Sequence, residues 1–327
     1  MLLRMMRIRR LLPLIGLLIF GYILTTLDFK SIVYLFSQIP VFYVILSFAC
    51  IVPILIMTLV EWQLLLRIHR IHMSLSDSLR NILIGYFYGF ITPGGLGAYT
   101  RTIYMKECTS ASMQQCTANI ILLNAIDYVS LLVMGLVGSV FLGIHFAEFS
   151  SYFIPIFALL IFSGIGLYLF FMKKDFVERI FTRILSSSWM NKKNVGSGTT
   201  TVSFYTDFPR IRALWAPFSL AIAGWMIRYV LFYLIGILFG IMIPWYYVVL
   251  FGILGDIIGS LPITVYGLGT REATLIGLFS VFQVSENAVV SLSLFWFVLV
   301  WMFPSVLGAL IIIGADMRKH RVNGSIS

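Results

Sequence analysis

The chain has 327 residues, of which 60% are hydrophobic, 16% aromatic and only 11% charged, with a formal net charge of +10. Soluble domains carry about 25% charged residues, so the composition excludes a soluble globular protein and leaves a chain embedded in a bilayer. At roughly 20 apolar residues per crossing there is room for about eight to ten membrane segments, and none for a folded catalytic domain outside them.

In chain order, Arg4, Arg7, Arg9 and Arg10 precede an apolar run from Leu11 to Leu27. That run resembles a signal peptide, but no small-x-small site precedes Asp28, so it is expected to remain as an uncleaved first span. Residues 28–39, with Asp28, Lys30 and Gln38, form a short outside segment. A second span, 40–66, returns to Arg67 and Arg70. Crossings at 117–144 and 150–172 follow, the latter ending on Lys173 and Lys174. Residues 175–210 are polar, with Ser186–Ser188 and Gly196–Thr201 reading as flexible linker. Spans at 213–240 and 288–314 complete the path, which ends on Arg318, Lys319 and Arg321.

Basic residues next to spans mark the cytoplasmic side. Both termini, the Arg67–Arg80 region, Lys106 and the polar linker are therefore expected inside, in a multi-pass protein of the plasma membrane. Nucleic acid is excluded as a partner, because no polar domain presents a basic face.

Two stretches break this scheme. Residues 75–107 must begin and end inside and residues 245–286 outside, or the charges fall on the wrong faces. Each is apolar and interrupted by Pro and Gly, at Pro93-Gly94-Gly95-Leu96-Gly97 and at Leu261-Pro262 through Gly267-Leu268-Gly269. Broken backbone at membrane depth survives only where protein or water covers it, so both read as re-entrant helical hairpins. Gly-Leu-Gly followed by Arg occurs in both, and each is preceded by a Gly-containing helix (Gly85, Gly89; Gly255, Gly259). Gly97 and Gly269 lie 172 positions apart. The expected fold is all-α, an inverted-topology repeat with two re-entrant hairpins. Its parts are residues 1–39, a first half 40–172, a basic linker 173–212, a second half 213–314 and a tail 315–327.

Ionisable groups within spans cost several kcal/mol and are seldom idle. Arg101 and Arg271 follow the two breaks, and a guanidinium fork beside a helix N-terminus suits an anionic oxygen cluster. The alternative is a structural ion pair, Arg271 with Asp256 or Glu272 and Arg101 with Glu107. Arg228 reads as a substrate partner or as the counter-ion of Glu61 or Asp127. Asp127 itself, on a helix face with Asn124, is grouped with the substrate-binding candidates and reads as a proton or cation site or as a helix-to-helix hydrogen bond. Gly95, Gly97, Gly267 and Gly269 would bring backbone close to a ligand, and Glu61 and Asp256 are candidates for coupling to an ion. Cys50, Cys108 and Cys116 form no C-x-x-C pair and read as packing thiols. His69 and His72 lack acidic or thiol neighbours for a metal, and no metal or cofactor is expected.

The run Pro93-Gly94-Gly95-Leu96-Gly97 with Arg101, and Leu261-Pro262 with Tyr266-Gly267-Leu268-Gly269-Thr270-Arg271-Glu272, resemble the flippase-like integral membrane proteins related to the transmembrane region of lysylphosphatidylglycerol synthases. The likeness runs from the first span to about residue 314. It implies a polytopic protein handling lipids or lipid-linked precursors, with functional roles carried to Arg101, Asp127, Arg271 and Glu272. Two positions depart from the pattern. The stretch Leu123-Asn124-Ala125-Ile126-Asp127 lacks the Glu-Arg expected before the Asp, and Phe295-Trp296-Phe297 lacks an Arg.

Three functions compete. The first is a translocator moving an anionic phospholipid or lipid-linked precursor between leaflets. The second is a membrane-embedded transferase acting on a lipid phosphate or lipid-linked sugar, although no nucleophile–base pair, Asp-x-Asp pair or Walker loop supports an enzyme. The third is a non-transporting partner of lipid-modifying enzymes.

Overall fold

The computed structural model describes residues 29–145, 161, 164, 209, 211–260 and 267–324. The first span, nearly all of the 150–172 crossing and of the basic linker, and Leu261–Tyr266 lie outside the described residues. Within them every regular element is helical: α1 Phe29–Gln38, α2 Val41–Ala49, α3 Ile51–Ile68, α4 Leu75–Ile91, α5 Arg101–Cys108, α6 Met113–His145, α7 Trp215–Leu238, α8 Trp245–Gly259, α9 Thr270–Phe279, α10 Glu286–Phe297 and α11 Phe303–Gly324. Four stretches are long and apolar enough to cross a membrane: Val41–Ile68, Met113–Phe141, Arg212–Leu238 and Glu286–Gly314. At 1.5 Å per residue each is about 40 Å long, enough for a ~30 Å hydrocarbon core with tilt. The chain is a multi-pass, all-helical membrane protein.

Local chemistry sets the element ends. Pro53 has no N–H for the carbonyl of Ala49, and α2 ends at that residue. Pro304 likewise cannot donate to Val300, and the last span widens into a π-helical turn, Val298–Met302, before resuming as α11. Ser74 caps α4 by accepting from the Asp77 amide at 3.0 Å, and Ser285 caps α10 by accepting from Ala288 at 3.2 Å. Ser112 and Gln115 satisfy each other's amides, at 2.9 and 3.2 Å, in a capping box at the start of α6.

The elements recur at one offset. The ends of α3 and α7, Ile68 and Leu238, are 170 positions apart, as are the starts of α4 and α8, Leu75 and Trp245. Gly85, Gly89, Gly97 and Arg101 recur at the same offset as Gly255, Gly259, Gly267 and Arg271. Gly97 thus answers to Gly267, two positions short of the Gly269 expected from the Gly-Leu-Gly match. The reason is that the second break reaches its arginine two residues sooner after Gly-Leu-Gly.

The described parts fall into two compact units. The first contains α1, α2, the start of α3, α4, the start of α5, most of α7 and α8–α11. Lipid tails are as apolar as leucine, so close backbone approach and polar contacts hold such helices together more than hydrophobicity does. On α11, Ser305 donates to the Tyr86 carbonyl at 3.0 Å, and Gly308 sits against the Leu83 carbonyl so closely that a β-carbon would overlap it. Gly252 lets α8 lie against the Phe232 ring of α7, 2.9 Å from where its β-carbon would stand. Phe232 packs edge-on to the buried Trp296 at 5.2 Å, and Phe251 to Phe279 at 5.1 Å. The short α1 buries Ile32 against Val290 of α10.

The second unit joins the end of α3 to α6. Asn119, fully buried on α6, accepts from the Trp62 indole at 2.8 Å and donates to the Leu65 carbonyl at 3.1 Å and to His69 Nδ1 at 2.8 Å. The indole can only donate and the carbonyl can only accept, so the amide orientation is fixed and His69 Nδ1 must be the acceptor.

Candidate functional site

Each break in the first unit is built around an arginine laid across a glycine. After Thr92 the chain tightens into a 3-10 stretch, Pro93–Thr100, which contains Gly95 and Gly97. The Thr92 hydroxyl donates to the Tyr88 carbonyl at 2.8 Å and accepts from the Gly97 amide at 2.6 Å. A side chain on Gly97 would run into that Tyr88 carbonyl. This turn delivers Arg101, buried, to the start of α5. Its carbonyl accepts from Asn81 at 3.1 Å, and its Cδ lies 3.0 Å from where a β-carbon on Gly85 would stand.

In the second break Gly267 and Gly269 both take positive φ, 79° and 89°, a conformation glycine adopts without the penalty of a side chain. Gly267 also packs on Gly259, where a β-carbon would come within 2.7 Å of the facing Cα. Arg271 then crosses Gly255, with its Cγ 3.3 Å from a notional β-carbon there. The two arginines are placed alike, one in each break.

Their partners differ. Arg271 and Glu272 are 2% and 0% exposed. Arg271 donates through Nε to Ser293 Oγ at 2.9 Å, and through Nη2 to the Ser293 carbonyl at 3.0 Å and to Glu272 Oε1 at 3.1 Å. Ser293 donates in turn to Glu272 Oε1 at 2.6 Å. The other carboxylate oxygen of Glu272 caps α9 by accepting from the Gly269 amide at 2.6 Å. Glu272 is thereby saturated. Asp256 on α8 is held less firmly: it stands 4.0 Å from Arg271 Nη1 and accepts from the Tyr229 phenol at 3.1 Å.

On α7 the indole of Trp225 stacks on Tyr229, 5.8 Å between centroids, and carries the Arg228 guanidinium 4.5 Å over its face. Such a cation–π contact gains strength when desolvated. Arg228 also donates to the Thr58 hydroxyl of α3 at 3.1 Å.

Of the expected site residues, Arg271, Glu272 and Asp256 meet in one network, Arg228 lies on the helix that supplies its tyrosine, and Arg101 occupies the matching place in the other break. Glu61, buried, and Asp127, half-buried, belong to the second unit. Sequence reading missed Ser293, Tyr229, Thr58, Trp225 and Asn81. Two serines in the apolar α10, Ser291 and Ser293, were the available signal, since a buried hydroxyl needs a partner. Among the described residues no group of three His, Cys, Asp or Glu side chains could hold a metal ion.

The arrangement gathers Arg271, Glu272, Asp256, Ser293 and Tyr229 into one buried polar network at the second break. Residues 11–308 match the sequence profile of the Lysylphosphatidylglycerol synthase TM region. A search of curated proteins found no match.

Proposed function

We propose, from the premise that the chain belongs to the lysylphosphatidylglycerol synthase transmembrane-region family, that it is a lipid translocator. The family ties this membrane protein to lipid metabolism. The finer reading is that an anionic phospholipid or lipid-linked precursor crosses between leaflets with its phosphate held by Arg101 and Arg228 and its acyl chains left in the bilayer. In this reading Arg271 and Glu272 stiffen the second break.

One observation carries it: two Gly-rich breaks of like construction, each laying an arginine over a glycine, at a constant 170-residue offset. With the basic residues assigned to the inside, that offset supports an inverted-topology repeat whose breaks are re-entrant hairpins from opposite faces. Paired discontinuous helices of this kind are the architecture of alternating-access carriers. Both termini are then cytoplasmic, in the plasma membrane.

The test is the leaflet distribution of fluorescent phosphatidylglycerol in vesicles carrying the purified chain. Loss of probe asymmetry faster than in protein-free vesicles is expected. An unchanged distribution, with and without an ion gradient, would sink the reading in favour of a transferase or of a partner to lipid-modifying enzymes.

A further inference from the structure

The last span is tied to both breaks. Its first half, α10, holds the second: Ser293 accepts from Arg271 at its hydroxyl and at its carbonyl, and donates to Glu272 at 2.6 Å. One turn on, the Phe297 ring lies 5.8 Å from the Arg271 guanidinium. Its second half, α11, holds α4, the helix that leads into the first break. Ser305 donates to the Tyr86 carbonyl at 3.0 Å and Gly308 seats on the Leu83 carbonyl. The Trp301 ring, just before α11, stands 6.0 Å from that of Tyr86.

The two attachments differ in what parting them leaves behind. Separating α10 from α9 takes Ser293 away from a buried guanidinium and a buried carboxylate, and unmade hydrogen bonds to buried charges are costly. Separating α11 from α4 strands no donor. The single proton of the Ser305 hydroxyl has a second acceptor in its own helix, the Trp301 carbonyl at 2.6 Å, closer than Tyr86. The Tyr86 and Leu83 carbonyls lie inside α4 and keep the amides four residues on. The hold on the second break is therefore fixed, and the hold on α4 is one the span can release and remake.

Between the two halves lies the irregular turn. Phe303 donates to the Val298 carbonyl, five residues back, and Pro304 has no N–H to offer Val300. Single π turns are frequent at functional sites, and one rewinds to α-helix by exchanging each backbone acceptor for the next. We infer that the last span couples the two breaks: α10 stays fixed to the second, and the π turn is the joint at which α11 changes its seat on α4 as the first break moves. This rests on the translocator reading for what the motion serves, and adds the element that moves.

The experiment is electron-spin distance measurement on the purified full-length chain, freed of its own cysteines, in nanodiscs containing phosphatidylglycerol. Spin labels take the places of exposed residues in two pairs: Ile91 on α4 with Leu310 on α11, and Ala273 on α9 with Glu286 on α10. Pro304→Ala supplies the missing N–H and favours regular winding. It should at least double the fraction of Ile91–Leu310 distances away from the main wild-type peak, and leave the Ala273–Glu286 pair unchanged. Ser305→Ala, which removes the polar part of the hold on α4, should act in the same direction, while the exposed Val306→Ala should match wild type. In vesicles Pro304→Ala should slow the redistribution of fluorescent phosphatidylglycerol severalfold. Movement of both pairs together, or of neither, overturns the joint, as does a Pro304→Ala chain whose Ile91–Leu310 pair has shifted but which redistributes lipid at the wild-type rate. A shifted Ile91–Leu310 pair in a protein whose wild type redistributes no lipid would overturn the translocator reading alone. Unmoved pairs in a chain that does redistribute lipid would overturn the joint alone.

Discussion

Thr58 and Arg228 stand 170 positions apart and are hydrogen-bonded to each other at 3.1 Å. That separation is the offset at which the helices and the two breaks recur, so each residue touches its own counterpart. Thr58→Val keeps the shape and removes the acceptor. Hydrogen bonds to charged groups contribute about 1.5–3 kcal/mol, and a loss of that size should appear as a lowered unfolding midpoint in detergent. An unchanged midpoint would mean that Arg228 finds an equal partner elsewhere.

Glycine substitutions should separate by what they meet. Gly308→Ala drives a methyl into the Leu83 carbonyl, and Gly97→Ala into that of Tyr88, and backbone cannot step aside. Both should reduce the yield of folded protein severely. Gly85→Ala meets chiefly the flexible Cδ of Arg101 at 3.0 Å. It should fold, with Arg101 displaced. Size-exclusion profiles of the three variants provide the comparison.

Arg271→Lys keeps the charge and loses the planar fork. The fork makes three hydrogen bonds, to Ser293 Oγ, the Ser293 carbonyl and Glu272. A lysine cannot reproduce them all, and each hydrogen bond to a charged group is worth about 1.5–3 kcal/mol. The variant should therefore lose stability along with any transport, whereas Arg101→Lys should lose transport with a smaller drop in midpoint. Equal destabilisation by the two would assign Arg101 a scaffold role as well.

Orientation is open to direct labelling. Ser285 precedes α10 and Lys106 lies in the last turn of α5, and both are exposed. In a chain stripped of its own cysteines, an impermeant thiol reagent added to intact cells should label a cysteine at 285 and leave one at 106 untouched. Labelling of both from outside would end the inverted arrangement.

The four apolar spans were legible from hydropathy alone: 40–66, 117–144, 213–240 and 288–314 correspond to Val41–Ile68, Met113–Phe141, Arg212–Leu238 and Glu286–Gly314. Long apolar runs leave the backbone no other way to satisfy its hydrogen bonds in lipid. Register was less legible. The Gly-Leu-Gly match pairs Gly97 with Gly269, but the contact that defines the geometry, arginine on glycine, pairs Gly97 with Gly267. The Arg271–Glu272 and Arg271–Asp256 pairings were open among the sequence alternatives, while the sequence showed the hydroxyls of Ser293 and Tyr229 without showing which charges they serve. A hydroxyl on an apolar helix shows its purpose only when the facing charge is placed beside it.

The π-helical turn at Val298–Met302 sets an angle as well as accommodating Pro304. One residue advances a helix by about 100° around its axis, and a widened turn absorbs one residue more than an α-helical turn would. Everything C-terminal to it is thereby rotated in phase, and that rotation points Ser305 and Gly308 at the carbonyls of Tyr86 and Leu83. Deleting a single residue between Val298 and Met302 would restore regular winding, swing both small residues off α4, and present bulky side chains to a surface shaped for a backbone.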